Sequence, residues 1–182
     1  LVGSEMCIRD RQKAEKGDLL FGTIDTFLLW QLAGEHKTDV TNASRTMLYN
    51  INSREWDDDL LKLFNIPKTI LPQVEESSHE FGQHKDTKIK ITGIIGDQQA
   101  ALFGQQCFRM NSMKATFGTG CFLMANTGSE PKYSNQGLLT TIGYGVSNTT
   151  AYALEGSIFS CGTIVKWLRD GLSFFKDVSE TE

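Results

Sequence analysis

The sequence lacks the features that mark membrane proteins, secreted proteins and nucleic-acid-binding proteins. No run approaches the ~18 apolar residues that a membrane-spanning helix needs, and no charged-then-apolar signal peptide opens the chain. The net charge is −4 in 182 residues. Lysine and arginine are scattered, so no basic patch indicates a nucleic-acid partner. This composition predicts a soluble globular protein of one domain or parts of two.

Cysteine and histidine are also scarce. The four cysteines form no C-x-x-C pair, and Cys121 and Cys161 lie in apolar segments, where a reduced cysteine packs as a small hydrophobic residue. His79 and His84 have no cysteine or carboxylate partner at a metal-binding spacing. We therefore predict reduced thiols, a cytoplasmic location and no metal site built from this chain.

Residues 89–106 form the most informative stretch. Its isoleucines predict a buried strand that ends at Gly96, and the apolar residues 100–103 favour a helix that follows. Asp97 lies at the junction, at the carboxyl end of the strand, where open α/β sheets bind ligands. Gln98 adds a neutral hydrogen-bond donor and acceptor. The alternative for Asp97 is a helix N-cap, for which aspartate is favoured.

A second signal follows at residues 115–124. There Gly118, Thr119 and Gly120 interrupt two strand-like runs. The backbone N–H groups of such a turn, with the threonine hydroxyl, can bind a phosphate. The alternative is an ordinary hairpin turn with its glycines at positive φ.

Taken together, these motifs resemble the FGGY carbohydrate kinase family, and within it the members that phosphorylate glycerol. The resemblance rests on G-D-Q-Q-A-A-L-F-G-Q at 96–105 and F-G-T-G-C-F at 117–122. It extends to T-N-A-S-R-T-M-L-Y-N at 41–50, G-L-L-T-T-I at 137–142, and Y-A-L-E-G with W-L-R-D between 152 and 170. It covers about residues 12–170.

The resemblance implies the α/β two-domain fold of the actin and hexokinase type, with ribonuclease-H-like halves and the site in the interdomain cleft. Residues 12–106 would form the later part of the N-terminal domain, and residues 107–182 a truncated early part of the C-terminal domain. Residues 1–11 do not follow the family pattern, and we interpret them as a non-native leader. We therefore expect an internal fragment that is inactive by itself.

The resemblance also implies a reaction, the ATP-dependent phosphorylation of glycerol to sn-glycerol 3-phosphate. Asp97 would accept the proton of the attacking hydroxyl, Gln98 would bind a neighbouring hydroxyl, and Phe122 would form an apolar wall. Mg²⁺ would arrive with ATP, with its protein ligands outside this stretch. Homo-oligomers are usual in the family. The alternatives are another FGGY sugar or polyol kinase, a binding protein that keeps the fold, or an inactive chain.

On the nucleotide side, the resemblance implies contacts from Thr119, Gly162 and Lys166. Residues 158–172 have helical periodicity, and a glycine inside a helix costs ~1 kcal/mol relative to alanine. Gly162 would therefore serve either close packing against a strand or the approach of a nucleotide phosphate. Lys166 would either attract phosphate or be a solvated charge.

Two further helices are predicted from capping signals. Residues 19–32 have apolar residues at helical spacing, with Thr23 as a cap and Gly34 at the C-terminal end. Residues 56–64 form a short helix whose first turn carries three consecutive aspartates, 57–59, which suits the positive end of a helix dipole.

Overall fold

The computed structural model describes residues 8–181 of the chain and the side chains of residues 10–181. Residues 1–7 of the predicted leader, including Cys7, lie outside the described residues. Residues 8–11, which were assigned to the same leader, form the first part of helix α1 (Ile8–Glu15).

The remaining helices and the strands follow in chain order. The helices are α2 (Ile24–Ala33), α3 (Val40–Ala43), α4 (Asp58–Leu63), α5 (Asp97–Gly104) and α6 (Gly162–Asp170), with short 3-10 helices at Lys68–Ile70 and Val178–Thr181. The strands are β1 (Lys37–Asp39), β2 (Tyr49–Asn50), β3 (Glu55–Trp56), β4 (Gln73–Glu75), β5 (Gly82–Gln83), β6 (Lys90–Ile91), β7 (Met113–Phe117), β8 (Cys121–Gly128), β9 (Leu139–Val146) and β10 (Thr149–Ile158).

The chain divides into two compact units. The first runs to Gly96 and includes Tyr144–Thr150. In it β1 pairs with β4 in parallel, and β2–β3 and β5–β6 form antiparallel pairs. One cluster of its buried apolar side chains consists of Leu48, Leu61 and Leu71, with Trp56, Ile66 and Ile70 packed against them.

The second unit contains Asp97–Gly143 and continues from Ala151. It holds a four-stranded sheet in the order β7-β8-β10-β9, in which β8 is antiparallel to both β7 and β10. Helix α5 packs on β7 and β8. The core beneath this helix is formed by Leu102, Cys107, Met124 and Ala153.

Both helices that were predicted from capping signals are present in the structure. Helix α2 has Thr23 as its N-cap and ends at Gly34, whose φ of 81° is the left-handed conformation that glycine tolerates best. Helix α4 is capped by the Asp57 side chain, which accepts the N–H groups of Asp59 and Leu60. Both predictions are confirmed, although α2 begins five residues later than residue 19.

The predicted strand before Asp97 is much shorter than expected. Only Lys90 and Ile91 form ladder pairs, with β5, and Ile89 is exposed. Beyond the strand, Ile94 donates its N–H to the Ser77 carbonyl at 3.0 Å. The isoleucine pattern is typical of a strand. In the described part of the chain, however, only β5 pairs with this segment, so the strand is short.

The predicted start of the helix at residue 158 is also wrong. Strand β10 continues to Ile158 because it pairs with β8 as far as Cys121. Helix α6 then begins at Gly162. Gly162 is the first residue of the helix, so the cost of a glycine in a helix interior does not apply.

No helix in residues 8–181 is long and apolar enough to cross a membrane.

Candidate active site

Asp97 lies at the first position of helix α5 and is exposed. Its Oδ1 accepts the backbone N–H of Gln98 at 2.8 Å. A typical N-cap side chain accepts from an N–H two or three positions further on, so this bond to the next residue is not the usual cap geometry. No other hydrogen bond to the Asp97 carboxylate comes from residues 10–181. The carboxylate is therefore available to a ligand hydroxyl.

The residue before Asp97 is held by a side chain. Gly96 donates its N–H to the Thr41 Oγ1 at 2.9 Å, and the Thr41 hydroxyl donates to Asp39 Oδ2 at 2.7 Å. Both Thr41 and Asp39 are fully buried. The backbone at the start of the Asp97 junction is thus fixed by a buried side-chain network.

Asp39 is the centre of this network. Its carboxylate accepts the backbone N–H groups of Thr41 and Asn42, the Asn42 Nδ2 at 2.8 Å and the Ser77 hydroxyl at 2.7 Å. A buried carboxylate is tolerated when its oxygens are satisfied in this way. Ser77 also accepts the N–H of Gly145 at 3.1 Å. The network therefore ties four separate segments of the first unit together.

The sequence motifs indicate no role for Asp39 and include Thr41 only as part of the motif at 41–50. The available signal was an aspartate followed by threonine and asparagine two and three positions later, which is the pattern of a helix N-cap. Asp39 is indeed the N-cap of α3.

In the second unit, a row of side chains crosses the sheet beneath α5. Strand register places Lys114 opposite Met124, and Met124 opposite Glu155. Because side chains at paired positions lie on the same face of a sheet, these three share one face. Lys114 is 1% exposed and Glu155 is 2% exposed. Two opposite charges are therefore buried on the face that α5 covers.

Lys114 links the predicted substrate residues. Its ammonium donates to the Gln98 Oε1, to the Thr116 hydroxyl at 2.9 Å and to the Phe122 carbonyl at 3.3 Å. Burial lowers the pKa of Lys114, and the nearby carboxylates of Glu155 and then Asp97 raise it in opposition. Nothing in the sequence distinguishes Lys114 beyond its place in a predicted strand.

The structure thus brings Asp97, Gln98 and Phe122 to one place, as a group around the buried Lys114. Phe122 is half-buried on the sheet, and Gln98 is half-buried at the start of the helix.

The glycine turn between β7 and β8 is not the hairpin with positive-φ glycines that was the alternative interpretation. Neither Gly118 nor Gly120 has a positive φ. Gly120 is needed for close approach, since a Cβ there would lie 2.7 Å from the Ile158 carbonyl oxygen. Gly118 donates its N–H to the Gly120 carbonyl at 2.8 Å. The turn is therefore compact and packs closely against the end of β10.

Gly162 packs directly on this turn. Its N–H donates to the Gly118 carbonyl at 2.9 Å, and a Cβ on Gly162 would lie 2.6 Å from that oxygen. The Thr119 carbonyl accepts from the Cys161 N–H at 2.9 Å and the Thr163 hydroxyl at 3.1 Å. The packing explanation for Gly162 thus has direct support, since these bonds attach the start of α6 to the turn.

Thr119 keeps its donors free. Its side chain is exposed, and no residue in 10–181 pairs with its N–H or its hydroxyl. Lys166 is exposed and lies four residues after Gly162, on the same side of α6. Phe122 and Thr119 are three residues apart, so at most about 10 Å separates them along the chain. The free donors therefore lie near the group around Lys114.

Among residues 10–181, no group of three or more histidine, cysteine, aspartate or glutamate side chains is arranged to hold a metal ion.

The site thus combines an exposed carboxylate at the start of α5 with a compact turn whose Thr119 N–H and hydroxyl have no partner among residues 10–181. Two family models match the chain: the FGGY family of carbohydrate kinases, N-terminal domain, over residues 8–104, and the C-terminal domain of the same family over residues 113–182. The chain belongs to the FGGY family of carbohydrate kinases. Its fold is the two-domain fold of the actin and hexokinase type, and the chain spans both domains.

Individual relatives agree with this assignment. The chain is 56% identical over 179 residues to the glycerol kinase of Limosilactobacillus reuteri, a match that covers 94% of this chain. It is similar to a crystal structure of Plasmodium falciparum glycerol kinase with ADP, with a TM-score of 0.89 and 42% identity over 95% of this chain. A xylulose kinase from Lactobacillus acidophilus shares the fold at a TM-score of 0.70 and 22% identity over 80% of this chain and 31% of that one. The chain spans 36% of the length of each of the two glycerol kinases.

Proposed function

We propose that this chain supplies catalytic and binding residues of an ATP-dependent glycerol kinase, which transfers the γ-phosphoryl group of ATP to a terminal hydroxyl of glycerol. The observation that carries the proposal is the exposed Asp97 carboxylate, placed beside Gln98 and Phe122 in a chain 56% identical to a glycerol kinase. The division into domains at residue 106, the cytoplasmic location and homo-oligomerisation stay predictions.

Asp97 is the proposed general base. Phosphoryl transfer requires positioning, charge stabilisation and a group that takes the proton of the attacking hydroxyl. An exposed carboxylate whose one hydrogen-bond partner within residues 10–181 is the Gln98 N–H has the capacity to accept that proton. Gln98 binds a neighbouring hydroxyl, and the ring of Phe122 packs against the carbon chain of the polyol.

Thr119, Gly162 and Lys166 form the proposed nucleotide side. Thr119 offers its N–H and hydroxyl, neither of which pairs with a residue in the described part of the chain, to the phosphates of ATP. Gly162 holds the start of α6 against the turn that carries Thr119. Lys166 adds a positive charge on the same helix. Mg²⁺ enters as part of the Mg–ATP substrate, and the proposal assigns it no ligand in this chain.

The direct test joins this chain to the remaining length of a relative. In the Limosilactobacillus chimera, defined here as the L. reuteri glycerol kinase in which this chain replaces the matching segment, glycerol-dependent ADP release is measured. We expect a kcat/KM within about tenfold of the parent enzyme, because Asp97, Gln98 and Phe122 all come from this chain. A folded chimera that does not turn over glycerol would overturn the proposal.

A second chimera tests whether the grafted segment itself determines that glycerol is the substrate. The corresponding segment of the L. acidophilus xylulose kinase is placed in the same frame, and folding of both chimeras is compared by circular dichroism. We expect the xylulose kinase graft to leave glycerol without turnover. Equal glycerol turnover by both grafts would show that the segment does not set the substrate, and would favour the alternative of another FGGY sugar or polyol kinase.

A further inference from the structure

Lys114 is the only lysine or arginine that is buried in residues 10–181, and the proposed reaction so far assigns it no part. Burying an ammonium group is costly unless hydrogen bonds and an opposite charge offset the cost. A folded protein therefore retains such a residue for a reason that packing alone does not give.

The contacts of Lys114 match the protonated amine. An ammonium group has three N–H donors and no acceptor. Its three partners are Gln98 Oε1, Thr116 Oγ1 and the Phe122 carbonyl oxygen. Glu155, buried on the same sheet face, provides the compensating negative charge.

This arrangement decides which end of the Gln98 amide faces outward. A glutamine side chain has an acceptor oxygen and a donor NH₂ group, and either can face a ligand. Because Lys114 can only donate, it must pair with the oxygen, and the amide cannot rotate by half a turn without placing two donors against each other. The Gln98 NH₂ group is therefore the group left for a ligand, and it acts as a donor.

Asp97 and Gln98 consequently have opposite hydrogen-bonding characters. The ionised Asp97 carboxylate only accepts, and the outward end of Gln98 only donates. Two neighbouring hydroxyls of a polyol match this pair if one donates to Asp97 and the other accepts from Gln98.

We propose that Lys114 is a positioning residue for substrate recognition: by holding the Gln98 oxygen, it fixes Gln98 as a donor beside the acceptor Asp97, so that the site selects two neighbouring hydroxyls. The inference rests on the proposed glycerol kinase function and adds a residue that acts through Gln98 without touching the substrate.

The test is a double-mutant cycle in the Limosilactobacillus chimera, with the KM for glycerol as the readout. Lys114→Met is combined with Glu155→Gln, so that no buried charge is left unpaired. This pair of substitutions and Gln98→Ala are each expected to raise the KM about tenfold, since each removes one oriented hydrogen bond. In the Gln98→Ala background, the pair is expected to change the KM by less than about twofold, because no amide remains to be oriented.

A purely structural role for Lys114 predicts a different pattern. The KM for glycerol would then rise by the same factor in both backgrounds, and the KM for ATP would rise with it. That result would overturn the inference while leaving the proposed function intact. A wild-type chimera that does not turn over glycerol would overturn the proposed function, and the inference with it.

A second variant keeps the test decisive if the Lys114 substitutions prevent folding. Gln98→Glu preserves an acceptor oxygen for Lys114, as an ion pair, and replaces the outward NH₂ donor with a carboxylate oxygen that cannot donate. We expect its KM for glycerol to rise about tenfold. An unchanged KM would show that Gln98 does not donate to the substrate, and would contradict the inference.

Discussion

The side-chain hydroxyl of Thr41 accepts the backbone N–H of Gly96 at 2.9 Å, immediately before the proposed catalytic base Asp97. The same hydroxyl donates to the buried carboxylate of Asp39. Thr41, in helix α3, therefore holds backbone that is 55 residues away along the chain and directly precedes Asp97. This relationship links the stability of the first unit to the geometry of the proposed chemistry.

Replacing Thr41 with valine tests this link. The change keeps the shape of the side chain but removes the hydroxyl, so the N–H of the half-buried Gly96 and the buried Asp39 carboxylate each lose a partner. We expect the free energy of unfolding to fall by about 1–3 kcal/mol, and kcat to fall because the Asp97 junction loosens. Urea unfolding and glycerol turnover of the Limosilactobacillus chimera measure the two effects. Thr41→Ser keeps the hydroxyl and is the control; a valine variant as stable as the serine variant would contradict the account.

Gly162→Ala tests the contact between helix α6 and the glycine turn. A Cβ at this position would lie 2.6 Å from the Gly118 carbonyl oxygen, which is a backbone atom that cannot turn away. We expect the turn to shift and the KM for ATP to rise about tenfold or more, with less effect on the KM for glycerol.

The control for this prediction is Gly104→Ala, at the end of α5, where a Cβ would meet nothing within 4 Å. Because alanine restricts the unfolded chain more than glycine does, we expect this variant to keep its activity and to gain about 0.4–1 kcal/mol of stability. Equal effects of the two substitutions on the KM for ATP would show that the Gly162 contact is unimportant.

Asp57 provides a pH-dependent prediction about stability. The Leu60 N–H, and then the Asn50 side chain, lower the pKa of Asp57 by hydrogen bonding to its carboxylate. A carboxyl group with a depressed pKa stabilises the fold above its unfolded-state pKa of about 4, and this contribution is lost as the pH falls through the lower folded-state value. We expect Asp57→Ala to lower the Tm by about 2–4 °C at pH 7 and pH 5.

The Tm difference between Asp57→Ala and the wild type is expected to shrink at pH 3, because this pH lies below the unfolded-state pKa of about 4, where the unfolded chain binds the proton more readily than the folded one. Asp57→Asn, which retains an acceptor oxygen for the cap, is the matched control. Its Tm should fall less than that of Asp57→Ala. Melting curves at the three pH values check this prediction. A Tm difference between Asp57→Ala and the wild type that grows as the pH falls would contradict this prediction.

Local signals in the sequence predicted some of the fold well. The N-cap at Asp57 and the left-handed Gly34 after α2 act within a few residues, so short-range patterns reveal them; Thr23 lies at the N-cap position of α2, but its side chain makes no capping hydrogen bond. The boundaries of the strand before Asp97 and of helix α6 depend on which strands pair with which. Strand pairing is a long-range property, and periodicity within one segment does not contain it.

The same distinction applies to the candidate site. Asp97, Gln98 and Thr119 are recognisable because they lie in motifs at the ends of secondary-structure elements. Lys114 is not, because a buried charge looks like any solvated charge until the fold places partners around it, and the N-cap pattern that begins at Asp39 does not reveal that Asp39 is buried. Their importance depends on segments up to several tens of residues away, which only the structure brings together.

The most direct test of the central claim is glycerol-dependent ADP release by the Limosilactobacillus chimera carrying Asp97→Asn, compared with the unsubstituted chimera. Asparagine keeps the size of the side chain and its acceptor oxygen for the Gln98 N–H, but it removes the group that takes the proton. We predict that kcat falls by at least about a hundredfold while the KM for glycerol changes little, as expected for loss of a general base. Equal kcat values in the two proteins would mean that Asp97 only begins a helix, and would contradict the mechanism.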